Sequence, residues 1–385
     1  MNPGVNPNRP FNVALIIPTG IGAAIGGYAG DALPVARAIA QVCDRLITHP
    51  NILNGAQLYW PIPNADYVEG YGLDQFAAGR WGLRAVQSNT IGLVIDSGLE
   101  PDLRLRHLQA ADAARATLGL TLTDAALTDA PLGVTLSTAA SGATWGTLQN
   151  PDSLLRAAAA VIQAGATAIA VVARFPDDVG SAALEQYRHG SGVDPLAGAE
   201  AVISHLVVRT FGLPCAHAPA LLPLPLDPNL SPRSAAEELG HTFLPCVLVG
   251  LSRAPQFVTA SNRSESGQDH LGQDHLWRNN LWRDNVDAVV VPESACGGSA
   301  VLSWSQTQAK IITVADNATT LNVTPELLGL PELMGPNRLR SQSYGEAIGM
   351  LVALRAGLNP LSLTPHIQPI GWLTSQTEAT KPVRV

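Results

Sequence analysis

Short, predominantly apolar runs, rather than alternating ones, punctuate this chain, at residues 13–17, 91–95, 132–136, 167–173, 246–251, 287–291 and 311–314. Runs of this length bounded by Gly, Pro or polar residues predict short strands. The Ala/Val/Ile run at 167–173 predicts one buried on both faces, as in a parallel sheet. Between the runs, apolar residues recur at helical spacing, most clearly over 153–164. Further helices are expected over 33–46, 104–118, 194–211 and 345–356. The first of these carries Pro34 in its opening turn, where a missing N–H costs nothing. Residues 58–80 mix aromatics, prolines and glycines and read as loops over a site or an edge. The proline-rich stretch 214–232 cannot be regular throughout and reads as a crossover.

Strand, turn and helix alternate in a way that predicts an α/β fold, with largely parallel sheets flanked by helices and two α/β lobes around a cleft. The expected lobes are residues 11–190, opening with a glycine-rich turn, and 191–370, carrying a polar insertion at 261–285. In that insertion Gln268-Asp-His-Leu is echoed by Gln273-Asp-His-Leu, and Trp277-Arg-Asn-Asn by Trp282-Arg-Asp-Asn. Such short repeats fit a surface insertion or a lid better than a solenoid.

Composition narrows the function classes. The 385 residues are 46% hydrophobic and 14% charged, enough to build a large core. A formal charge of −8 argues against sequence-independent nucleic-acid binding. No apolar stretch is long enough to cross a bilayer, and the polar N-terminus lacks a signal-peptide pattern, so a soluble cytoplasmic protein is expected. The four cysteines, Cys43, Cys215, Cys246 and Cys296, form no CxxC pair and are expected as reduced thiols. His270 and His275 are five residues apart, which does not put them on one helix face, and no metal site is assigned.

Chemistry-bearing residues gather where strands are expected to end. Thr19, Gly20, Gly22 and Gly26 follow the first strand, in a turn whose backbone N–H groups and following helix suit an anion. The turn lacks the Gly-Lys-Ser/Thr of a Walker motif, and Gly26 falls one residue late for a dinucleotide fingerprint, so no cofactor is assigned. Asp31 near the helix start, His49 and Cys296 are the candidate catalytic residues, for proton transfer or nucleophilic attack. Asn51, Asn54, Asp96, Ser294, Gly297 and Asn317 complete the candidate ligand-binding set. A structural role is the competing reading for each: a tight turn, a cap or a buried polar anchor.

Several segments carry a family likeness: Pro18-Thr-Gly-Ile-Gly-Ala-Ala-Ile-Gly-Gly-Tyr-Ala-Gly-Asp31, Thr48-His-Pro-Asn-Ile-Leu-Asn-Gly55, Gly192-Val-Asp-Pro-Leu-Ala-Gly-Ala-Glu-Ala201 and Val290-Val-Pro-Glu-Ser-Ala-Cys-Gly-Gly298. Over residues 11–365 the chain resembles the family catalogued as domain of unknown function 3326. The resemblance implies a cyanobacterial-type cytoplasmic protein and transfers no catalytic residue. The expected function is therefore an enzyme acting on a small anionic metabolite at the strand ends. A non-catalytic binding or regulatory protein using the same cleft is the alternative, and a scaffold using the Trp277 and Trp282 loop is a third. Homo-oligomerisation is left open.

Overall fold

A computed structural model describes residues 9–27, 32–53, 60–239, 243–259, 280–329, 337–367 and 369–370. Asp31, Asn54, His270, His275, Trp277 and most of the 261–285 insertion lie outside the described residues.

The chain starts one sheet with β1 (Asn12–Leu15), β2 (Arg45–Thr48) and β3 (Ala65–Tyr67), then forms β4 (Trp81–Arg84). It next builds a second sheet from β5 (Ile91–Ile95) and β6 (Ala126–Leu127). A hairpin of β7 (Val134–Thr138) and β8 (Thr144–Leu148) follows, then β9 (Ala168–Arg174) and β10 (Cys215–Ala220) of the second sheet. β11 (Gln256–Thr259) and β12 (Asn280–Leu281) return to flank β4. Finally β13 (Ala288–Pro292), β14 (Lys310–Val314) and β15 (Arg338–Ser341) complete the first sheet.

The first sheet runs β15-β14-β13-β1-β2-β3, with every neighbouring pair parallel. The chain winds outward from β1 through β2 and β3, then restarts on the other side of β1 with β13. This doubly wound order opens a crevice at the carboxyl ends of β1 and β13, where connections depart to opposite sides. The second sheet, β10-β9-β5-β6, is also parallel and has its own switch between β5 and β9. Because β13–β15 join β1–β3, the first sheet takes strands from both sides of residue 190. The strands of the second sheet fall, in sequence, between β3 and β13 of the first.

Apolar strands buried on both faces explain the layering. Val13 and Leu15 face one core with Leu33, Ala36, Ile39, Ala347 and Leu351. Ala14 and Ile16 face the other with Leu73, Phe76, Val301 and Trp304. In the second sheet, Val94, Ile169 and Val171 pack on Leu154, Val161, Ile203 and Val207 of helices Pro151–Gln163 and Ala197–Phe211. The opposite face of that sheet shares the first core through Leu244, Val247, Leu248 and Leu251.

Those four residues lie on helix Phe243–Ser252, where the sequence predicts a strand over 246–251. A helix buried on all sides loses its polar stripe and cannot be told from a buried strand by periodicity. The stretch 214–232, expected not to be regular throughout, holds β10 and then irregular backbone over 221–231. Its Pro219 is tolerated because β10 is an edge strand. The run at 132–136 contributes β7 of the antiparallel hairpin, not a parallel-sheet strand. Among the described residues no helix is long and apolar enough to cross a membrane.

Candidate functional site

A cleft of 410 Å³ opens at the carboxyl edge of the first sheet, facing the second. Ile16, Pro18 and Thr19 after β1, His49 and Asn51 after β2, and Glu69 after β3 form one wall. Gly298, Ser299 and Ala300, where helix Ser299–Trp304 begins after β13, extend it. Helix Ala197–Phe211 contributes Glu200, Ala201, Ser204 and His205, and β10 contributes His217. The site thus straddles the β1/β13 switch, where open parallel sheets place ligands.

His49 is 8% exposed, and its Nε2 accepts the Ile17 backbone N–H at 3.1 Å. Burial lowers its pKa to about 4. Protonating Nε2 would set two N–H groups against each other, so the Ile17 contact works in the same direction. His49 is therefore a neutral imidazole with its hydrogen on Nδ1, an atom that no described residue accepts from. Asn51 donates from Nδ2 to the Gly26 carbonyl at 2.6 Å, and Thr19 donates to Asn51 Oδ1 at 3.4 Å.

Across the cleft a chain of polar groups links two histidines. Glu69 caps helix Gly70–Ala77, with Oε2 accepting from Tyr71 N at 2.8 Å and Gly72 N at 3.1 Å. Its Oε1 lies 3.0 Å from His205 Nε2 and accepts from Ser204 Oγ at 3.4 Å. Ser204 Oγ is also 3.3 Å from His217 Nδ1, and His217 Nε2 is 3.5 Å from Glu200 Oε2. Burial alone would lower the His205 pKa. The hydrogen bond and charge of Glu69, with the charge of Asp74, outweigh burial and raise it. One cleft thus holds a neutral imidazole and another biased toward its cation.

Helix N-termini around the cleft are already capped by the chain's own carboxylates. Besides Glu69, Asp74 faces the Ala300 backbone at the start of helix Ser299–Trp304. Asp194 accepts from Leu196 N at 2.8 Å and from the Ala197 backbone, at the start of helix Ala197–Phe211. Burial and the neighbouring Glu200 raise the Asp194 pKa. The described cleft lining contains Glu69, Asp74 and Glu200 but no Arg or Lys.

The remaining sequence candidates fall into three groups. Thr19, His49 and Asn51 line the cleft. Gly20, Gly22 and Gly26 take positive φ, and the first two pack against the second sheet's connections. A Cβ on Gly22 would sit 2.5 Å from Thr320 Oγ1 and 2.7 Å from the Gly192 carbonyl. Their glycine character serves close approach of backbones. Part of the turn's donor capacity is also occupied, since Ala24 N bonds Ala318 O and Ile25 N bonds Asn317 Oδ1.

The third group lies outside the cleft lining. Asp96, at the end of β5, accepts from Gly98, Leu132 and Arg174 N–H groups at 2.8, 2.9 and 3.0 Å, fixing three connections of the second sheet. Asn317 is fully buried and bonded to both backbone groups of Ile25 and to the Tyr344 hydroxyl. Ser294 bonds Thr319, and Gly297 abuts Val323. Cys296 is fully buried, its Sγ 3.5 Å from the Glu293 carbonyl, and burial pushes its pKa up to about 12. It is a protonated core thiol with no access to the cleft, so the geometry does not supply the nucleophile expected of it.

Glu69, Asp74, Glu200, Ser204, His205, His217 and Ser299 escape the sequence reading. Glu69 has a local signal, an acid directly before Gly70 at a helix start. Ser204 and His205 sit within an ordinary helical pattern, and His217 within a proline-rich stretch.

Two parallel sheets with a polar cleft at a switch point define a doubly wound α/β protein. The chain belongs to the family described as protein of unknown function (DUF3326), whose model matches residues 12–364. It is similar to an uncharacterized lipoprotein from Synechococcus sp., with 57% identity over 370 residues, covering 96% of this chain and 98% of that protein. No solved structure matches the chain.

Proposed function

We propose that the protein is an enzyme that moves a proton on a small polar metabolite bound in the 410 Å³ cleft. The observation that carries this reading is the pair of imidazoles pushed in opposite directions, His49 down by burial and His205 up by Glu69 and Asp74. Such divergence is how acid–base sites assign roles. His205 exchanges the proton and Glu69 orients it. His49 offers Nδ1–H as a neutral donor to substrate.

The lining argues for a ligand other than the anion suggested by the glycine-rich turn. With carboxylates already at the helix N-termini and no described Arg or Lys, a group that is cationic or rich in hydrogen-bond donors fits best. Titration calorimetry with 1,4-diaminobutane, 1,4-butanediol and succinate tests this. The diamine is expected to bind, and filling the cleft with Ala201→Trp to abolish binding. Succinate binding in its place would overturn the charge assignment.

A binding protein without turnover is the second reading. It is favoured by the state of Cys296, which is buried, hydrogen-bonded to a backbone carbonyl and shut off from the cleft. We also read this chain as cytoplasmic. All four cysteines are buried thiols, which fits a reducing compartment. Recovery of the chain in the membrane fraction would contradict that reading.

A further inference from the structure

We propose a second small-molecule site, which shares only Pro219 with the lining of the cleft and takes a hydroxy acid with a compact apolar body. A cavity of 110 Å³ lies beyond the carboxyl ends of β9 and β10, at the second sheet's own ligand-facing edge. Leu103, Leu184, Tyr187, Leu196 and the segment 221–224 give it a mainly apolar wall. An engineered apolar cavity of about 150 Å³ holds benzene, so this one suits a small branched side chain.

Most charged groups around the cavity are already paired. Asp177 receives Arg174 at 2.7 and 2.9 Å and the Leu222 N–H at 2.9 Å. Arg188 and Glu238 form two bonds of 2.9 and 2.8 Å. Asp194 is held by Leu196 N, and Asp178 accepts from Ser181.

Two neighbours on helix Pro101–Leu118 are different. His107 is 9% exposed, and its Nδ1 lies 2.7 Å from the Leu103 carbonyl. That carbonyl can only accept, so Nδ1 carries the hydrogen and Nε2 presents a lone pair. Burial and the adjacent Arg106 charge lower the His107 pKa, which keeps the ring neutral. Both residues line the cavity, and among the described residues neither Nε2 nor the Arg106 guanidinium has a partner. His107 Nε2 is an acceptor that solvent still reaches on a mainly apolar wall, and a ligand hydroxyl can take the place of water there. Arg106 takes the carboxylate, and the leucines and prolines take the apolar body.

The test is titration calorimetry with 2-hydroxy-4-methylpentanoate, alongside 4-methylpentanoate, which lacks the hydroxyl, and glycolate, which lacks the body. The hydroxy acid is expected to bind roughly tenfold or more tightly than either control. Arg106→Gln, an exposed change that leaves the core intact, should weaken it by a similar factor. Leu184→Trp, which fills the cavity, should abolish binding, whereas Ala201→Trp in the main cleft should leave it unchanged. No binding to the wild-type protein overturns the proposal. So does binding that survives Leu184→Trp or disappears with Ala201→Trp, the latter assigning the ligand to the cleft.

Discussion

Acidification should destabilise this protein through His49, and the size of the effect follows from its burial. Its pKa falls from an ordinary 6.5 to about 4 in the fold. A histidine with a depressed folded pKa contributes stability above its unfolded pKa and loses it as pH drops toward the folded value. Taking those two values, linkage gives a loss of about 2 kcal/mol between about pH 7 and about pH 4.5. The perturbation is His49→Gln, which keeps an acceptor for the Ile17 N–H but does not titrate. Urea unfolding monitored at both pH values gives the difference in stability for each protein. Wild type should lose about 2 kcal/mol more than His49→Gln over this interval. Parallel losses in the two proteins would refute the assignment of His49 as a buried neutral imidazole.

Other consequences are equally direct. Glu69→Gln removes the charge that raises the His205 pKa, so the His205 ring resonance should titrate at lower pH by NMR; an unchanged midpoint would separate the pair. Gly22→Ala must hold φ +62 and meet Thr320 and Gly192, and should cost about 2 kcal/mol or more in urea unfolding. All four thiols are buried, so a thiol reagent should label none in the native protein and all four in denaturant. Fast native labelling of Cys296 would contradict its placement in the core.

The parallel architecture was legible because its central strands are predominantly apolar runs, and β1, β5, β9, β13 and β14 coincide with expected runs to within a residue or so. What the sequence hid has physical causes. Helix Phe243–Ser252 has no polar face because the second sheet, helix Pro101–Leu118 and Tyr67 of β3 pack around it, and β10 carries a proline that only an edge position tolerates. The first wall of the cleft was visible as Thr19, His49 and Asn51, each just past a strand. The opposite wall was not, because Ser204, His205 and His217 reach the site only through the insertion of the second sheet into the first. Asp96 and Asn317 show the converse: polar residues at strand ends whose hydrogen bonds serve the backbone.

The functional reading rests on His205 moving a proton on a small molecule in the cleft. Incubating the purified protein with a cyanobacterial metabolite extract in deuterated water, followed by mass spectrometry, tests it most directly. Wild type should convert a metabolite or label it with solvent deuterium, and folded His205→Gln should do neither. An extract left unchanged by the wild-type protein, or changed equally by His205→Gln, would contradict the account.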